Sequence, residues 1–205
     1  MRTARGERRR QVLVRAAADL LLDEGLASLS HRAVAARAGL PLAATTYYFD
    51  SVEDLRDEAL QAVAQGWLER AGAVVDALPT RIGPVQAAKA VIGVVGTDAP
   101  SRQLLLRYER YLDAGRHERL RPLVVVSNAR LCALVREVLL RAGLPAGQGE
   151  ARLVLAVADG AAVTALAEGA APDAAVRTAL GRLLRLLQGQ QAAAATAAGA
   201  PAAHP

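Results

Sequence analysis

Residues 30–51 read Ser-His-Arg-Ala-Val-Ala-Ala-Arg-Ala-Gly-Leu-Pro-Leu-Ala-Ala-Thr-Thr-Tyr-Tyr-Phe-Asp-Ser, and they gather polar and aromatic side chains where a soluble core would take aliphatics. Leu42, Ala43, Thr45, Thr46, Tyr47 and Tyr48 fall within two turns of one short helix. Their chemistry suits the edges of base pairs: a threonine hydroxyl can hydrogen-bond a base or a phosphate, and its methyl can meet the methyl of thymine. Tyr47 and Tyr48 project about 100° apart around a helix, so they cannot share one role. Slightly upstream, Ser30, His31 and Arg32 open another helix, whose free N–H groups and positive end suit a phosphate. The plainer alternatives are tyrosines packed on their own domain, threonines on a solvated helix face and an exposed histidine without a role.

These side chains need two short helices held by a tight turn. Ser30 can cap the first of them, Val34, Ala35 and Ala38 form its buried side, and Gly39 permits the positive φ of the turn. Pro41 opens the second helix without losing a needed hydrogen bond. Helix, glycine turn and polar-aromatic helix together describe a helix-turn-helix whose second element enters the DNA major groove. A preceding helix, about residues 7–24, carries the apolar stripe Val12, Leu13, Ala16, Ala17, Leu20 and Leu21, and Phe49 is expected to close the small core. Arg2, Arg5, Arg8, Arg9, Arg10 and Arg15 crowd this segment, with Glu7 the one acid among them. Such a basic end fits phosphate contact, Arg5 being the residue assigned to it, and equally fits a solvated face.

The totals narrow the class. The 205 residues have room for one large or two small domains. A hydrophobic fraction of 53% with only 3% aromatics means a core of Ala, Leu and Val, which points to an all-α protein. Cys132 is the sole cysteine, which leaves no disulfide framework and no thiolate metal site. There is no phosphate-binding glycine loop and no nucleophile elbow, and His31, His117 and His204 are scattered, so neither catalysis nor a cofactor or metal is expected. The longest apolar helix, residues 153–166, contains Asp159 and is shorter than the roughly 20 residues a membrane span needs. No membrane association is expected, and the protein is read as cytoplasmic.

Proline and glycine punctuation divides the remainder into helices near residues 52–78, 84–96, 101–114, 120–142, 150–168 and 173–188, about nine in all. The organisation expected is a DNA-binding domain over residues 1–51, a helical domain over 52–190, and an Ala-rich disordered tail over 191–205. A monomeric reader of this size would bind weakly, so a homodimer on a two-fold related operator in double-stranded DNA is expected. Val157, Gly160, Ala161 and Thr164 offer a small-residue face for close helix approach, and Leu180, Leu183, Leu184 and Leu187 form a leucine stripe on the final helix. The same residues would serve packing within one subunit.

The chain resembles the TetR family of bacterial transcriptional regulators. Gly25, Ser30, Arg32, Val34, Ala35, Ala38, Gly39 and Leu40, then Tyr47, Tyr48, Phe49, Ser51, Glu53 and Leu55, follow that family's N-terminal pattern without gaps over about residues 9–55. Beyond residue 55 the resemblance is architectural. It implies that Tyr47 contacts bases and Tyr48 a phosphate, that residues 150–188 form a four-helix dimer bundle, and that helices four to eight hold a small-molecule effector. The effector residues it points to are Trp67, Tyr108 and Tyr111, the large aromatics outside the reader, with Asp113, core packing being the plainer alternative for Trp67. Glu69, Glu109 and Asp113 suit a cationic effector, whereas Arg107 and Arg110 suit an anionic one. Thr46 and Val52 stand where the family usually has phosphate-gripping tyrosine and lysine, and Pro41 replaces a usual hydroxyl cap. The function expected is a ligand-released dimeric repressor. The alternatives are a DNA-binding factor without small-molecule control, or a helical ligand-binding protein with a weakened reader.

Overall fold

A computed structural model describes residues 4–198, and within them the chain is all-α. Its helices are α1 (Ala4–Glu24), α2 (His31–Ala38), α3 (Leu42–Tyr48), α4 (Val52–Asp76), α5 (Pro84–Val95), α6 (Ser101–Arg116), α7 (Arg121–Arg141), α8 (Gln148–Ala167) and α9 (Pro172–Ala198). Single 3-10 turns at Leu26–Ser28 and Glu118–Leu120 precede α2 and α7, and no strand occurs among the described residues. The helix ends follow local chemistry. The Ser30 hydroxyl accepts from the Ala33 N–H at 3.1 Å, and that of Ser51 accepts from the Asp54 N–H at 3.0 Å. Pro84 occupies the first turn of α5. The last helix runs through Ala198, into the stretch 191–205 read as a disordered tail. Alanine is the best helix former, and a helix already nucleated by packed residues extends through an alanine run without needing an apolar stripe. Residues 199–205 lie outside the described residues.

The chain divides into two compact units whose boundaries fall inside α4 and α7: one takes the chain through residue 69 with residues 99–127, the other residues 70–98 with everything from 128 onward. The first unit is therefore larger than the segment 1–51. Its core joins Leu13, Ala16, Ala17, Leu20 and Leu21 of α1 to Val34, Phe49, and Leu55, Ala59, Leu60 and Val63 of α4. Leu106 of α6, far along the sequence, belongs to the same core. Val12 does not join the stripe expected of it and is exposed, because the core-facing arc of α1 runs through Leu13, Ala16, Ala17 and Leu20. Polar ties fasten the edges of this unit. Arg37 of α2 reaches Asp23 at 2.9 Å and Glu24 at 3.0 Å on α1, Arg10 pairs with Glu58, Arg119 pairs with Asp57, and Arg102 donates to the Asp23 carbonyl.

In the second unit α9 packs on α5 and α8. Its buried faces are built from Ala87, Ala88, Ala90 and Val91 of α5, Val154, Ala158 and Ala162 of α8, and Val176 and Leu180 of α9. Residue 93 is glycine where α5 meets Val74: a Cβ there would lie 3.2 Å from Val74 Cγ2. Arg141 closes the end of α4 by donating to the Val75 and Leu78 carbonyls at 2.8 and 2.7 Å.

The α2–α3 turn rests on Gly39 at φ 63° and ψ 31°, with the Leu40 N–H bonded back to the Ala35 carbonyl at 3.0 Å. A Gly39→Val variant places a Cβ in left-handed backbone, at an expected cost of about 1–2 kcal/mol. Urea denaturation against the wild-type chain checks it.

Candidate functional site

The turn presents α3 on the surface of the first unit. Tyr47 is the most exposed large side chain there, at 79%, and Leu42, Ala43 and Thr46 are exposed beside it. Tyr48 is half-buried against the core, and its ring meets that of Tyr47 edge to face at 4.9 Å. Thr45 departs from the sequence reading: it is fully buried, and its hydroxyl donates to the Leu42 carbonyl at 2.7 Å. It cannot reach a base. Thr45 precedes core residue Phe49 by four positions, so both point inward on the same face, and that spacing was the available signal. The exposed part of α3 is thus Leu42, Ala43, Thr46 and Tyr47.

Other groups at the surface suit phosphates. Ser30 and Arg32 are exposed at the start of α2, while the Ser30 hydroxyl is occupied as a cap. His31 is half-buried, and its Nδ1 is sealed without a hydrogen-bond partner. On α1, Arg5, Arg8, Arg9 and Val12 line an open groove. Arg8 and Arg9 share that exposed arc with Arg5, whereas Arg10 turns inward onto Glu58 and over the Phe49 ring at 5.4 Å. Helical spacing from Arg5 was the signal that groups Arg8 and Arg9 with it and sets Arg10 apart.

Three of the four leucines assigned to a dimer face are also corrected. Leu180, Leu184 and Leu187 are buried within the single chain, in line with Val176 on the side of α9 that packs on α5 and α8. Leu183 is half-buried, and Leu186, 67% exposed, is the open leucine of this helix. On α8, Gly160 and Thr164 are exposed and Val157 and Ala161 half-buried, with Leu153 open one turn before Val157.

The effector candidates converge in the first unit. On α6, Leu104, Arg107, Arg110 and Ala114 recur at helical spacing and all are buried, Arg107 at 5% and Arg110 at 3% exposure. The Arg110 guanidinium lies 5.5 Å from the centroid of the Trp67 ring and 5.6 Å from that of Tyr111. Arg107 lies 5.9 Å from the Tyr108 ring and 5.7 Å from Tyr111, and donates to the Tyr111 hydroxyl at 3.4 Å. The two tyrosines meet edge to face at 6.2 Å. Trp67, half-buried, also packs on the core. Asp113 faces Arg116 at 3.7 Å, outside the cluster. Nε and Nη1 of Arg110 are buried and have no hydrogen-bond partner, an arrangement that costs about 1–3 kcal/mol per buried donor. Burial is the main influence holding the Arg110 pKa below that of an ordinary guanidinium; Tyr111 opposes it and the Arg107 cation adds to it. The spacing of Arg107 and Arg110 with Leu104 and Ala114 was the signal in the sequence that both face inward.

Comparison with known proteins fits this architecture. The family described as "Tetracyclin repressor-like, C-terminal domain" matches residues 82–186. The multidrug-binding protein EbrR, solved with proflavin, is 31% identical, with a TM-score of 0.62 over 85% of this chain and 99% of its own. A TetR-family member from Streptomyces coelicolor A3 (SCO1917) is 31% identical, with a TM-score of 0.59 over 86% of this chain and 98% of its own. A transcriptional regulator from Rhodococcus sp. Rha1 shares the fold at 24% identity and a TM-score of 0.67, over 88% of this chain and 96% of its own. The curated proteins gave no match.

Because Tyr47 is exposed, Tyr47→Ala is expected to change unfolding free energy by no more than about 0.5 kcal/mol. The same change is expected to weaken DNA binding by about 1–3 kcal/mol. Paired thermal melts and fluorescence anisotropy on labelled upstream DNA separate the two effects.

Proposed function

We propose, from the premise that the chain belongs to the tetracyclin repressor-like (TetR) family of transcriptional regulators, that it is a dimeric repressor released from a two-fold related operator by a small molecule. The observation that carries this reading is the glycine-locked turn at Gly39, which holds Tyr47 and Thr46 clear of the core on a helix too short to serve packing alone. Leu42, Ala43, Thr46 and Tyr47 are the base-reading set. Arg5, Arg8, Arg9 and Arg32, with Tyr48 and the N-terminal turn of α2 at Ser30 and His31, are the backbone-gripping set. The arginines of α1 supply charge that Thr46 and Val52 do not.

Dimerisation uses the apolar surface that α8 and α9 leave open: Leu153, Val157, Gly160, Ala161 and Thr164 on one helix, Leu183 and Leu186 on the other. The effector binds at the aromatic-arginine cluster of Trp67, Arg107, Tyr108, Arg110 and Tyr111. It releases DNA by favouring one dimer geometry over another, which requires only a difference in its affinity for the two. That EbrR was solved with proflavin and with ethidium supports small-molecule control in this chain.

The test is a titration of the gene's own upstream DNA at several salt concentrations. Affinity is expected to fall with salt at a slope of about −0.9 per phosphate contacted, and Arg8→Ala or Arg9→Ala each to reduce that slope by about 1. Absence of binding at low salt overturns the reading. Leu186→Glu buries a charge at the α8–α9 surface and is expected to convert the dimer to a monomer in sedimentation velocity. An unchanged dimer with that variant would exclude the face.

A further inference from the structure

We propose that Arg110, with Arg107 beside it and the rings of Trp67, Tyr108 and Tyr111 around it, binds the carboxylate of a planar aromatic acid, so that the effector of this protein is an anion. The proposal deepens the reading of the chain as a small-molecule-controlled regulator and rests on it. A guanidinium has five N–H donors, and two of the three nitrogens of Arg110 are buried with nothing to donate to. An apolar side chain at this position would fill the core without that penalty. A carboxylate completes it best, since it offers negative charge and two oxygens matched to the guanidinium fork.

Glu69, Glu109 and Asp113 do not fill the role. Glu69 is exposed and accepts from Gln65 at 2.9 Å, Glu109 is exposed, and Asp113 faces Arg116. A cationic effector would meet two buried arginines. The rings dictate the rest of the ligand: tryptophan and tyrosine faces already stacked against guanidinium groups suit a flat conjugated body carrying the charge in its plane.

Trp67 is the single tryptophan, so its emission reports the site directly. Salicylate, benzoate and naphthoate are titrated against the wild-type chain, with benzyl alcohol as the neutral control and proflavin as the planar cation. The acids are expected to change Trp67 emission saturably and to raise the melting temperature, and the two controls to do neither. Arg110→Met is expected to melt at or above the wild-type temperature without ligand and to bind salicylate at least tenfold more weakly, with Arg110→Lys in between. Equal binding of salicylate by Arg110→Met, a wild-type response to benzyl alcohol or proflavin matching that to the acids, or no response to any of the three acids overturns the proposal. A marked fall in melting temperature for both Arg110→Met and Arg110→Lys does so too, since it makes the cation structural. Operator binding is measured in parallel on the wild type: salicylate bound without release of DNA defeats the regulatory reading and leaves the anion site standing, whereas DNA binding with no acid response defeats the anion site alone.

Discussion

A core of alanine, valine and leucine closes only when helices come close together, and both units of this chain are built under that constraint. Large aromatic side chains, which elsewhere fill wide gaps between helices, are almost absent. Ala16 and Ala17 of α1 sit at the centre of the first unit's core, and Ala87, Ala88, Ala90 and Gly93 of α5 bring its neighbours near in the second. Close packing at this density leaves little room for repacking, so interior positions are specified by size. The few aromatics are thereby released for other work. Phe49 alone is buried as core, Tyr47 stands in solvent, and Trp67, Tyr108 and Tyr111 surround two arginines.

The arginines divide along equally physical lines. Arg10, Arg37, Arg102, Arg119 and Arg141 are ties between helices or between a helix end and its neighbour. Exposed ties of this kind contribute little each, yet they give these five arginines a role without reference to any ligand. Arg5, Arg8, Arg9 and Arg32 remain on the surface, and Arg107 and Arg110 are buried among rings. The same residue type thus serves three purposes, and net charge by itself distinguishes none of them.

How far the site could be read in the sequence depended on whether its signal was local. Ser30 and Gly39 act through backbone groups three or four residues away, and each does in the fold what its spacing foretold. Thr45 was misread because its neighbour Thr46 is chemically identical; only its phase relative to Phe49 separates an inward hydroxyl from an outward one. The leucines of α9 were misread for a related reason. A stripe announces that a helix has an apolar face, and Leu180 and Leu184 do form one, but whether that face meets α5 and α8 of its own chain or another copy is not written in the stripe.

The sequence by itself determined the helices, their caps and turns, the all-α class and the reader's turn, because these follow from propensity and from contacts within a few residues. Tertiary structure alone decided that Leu106 completes the first unit's core, that Arg10 meets Glu58 across to α4, and that two nitrogens of the inward Arg110 find no acceptor. Those outcomes depend on which faces of distant helices meet, and burial is a property of that meeting and not of any residue's own neighbourhood in the chain.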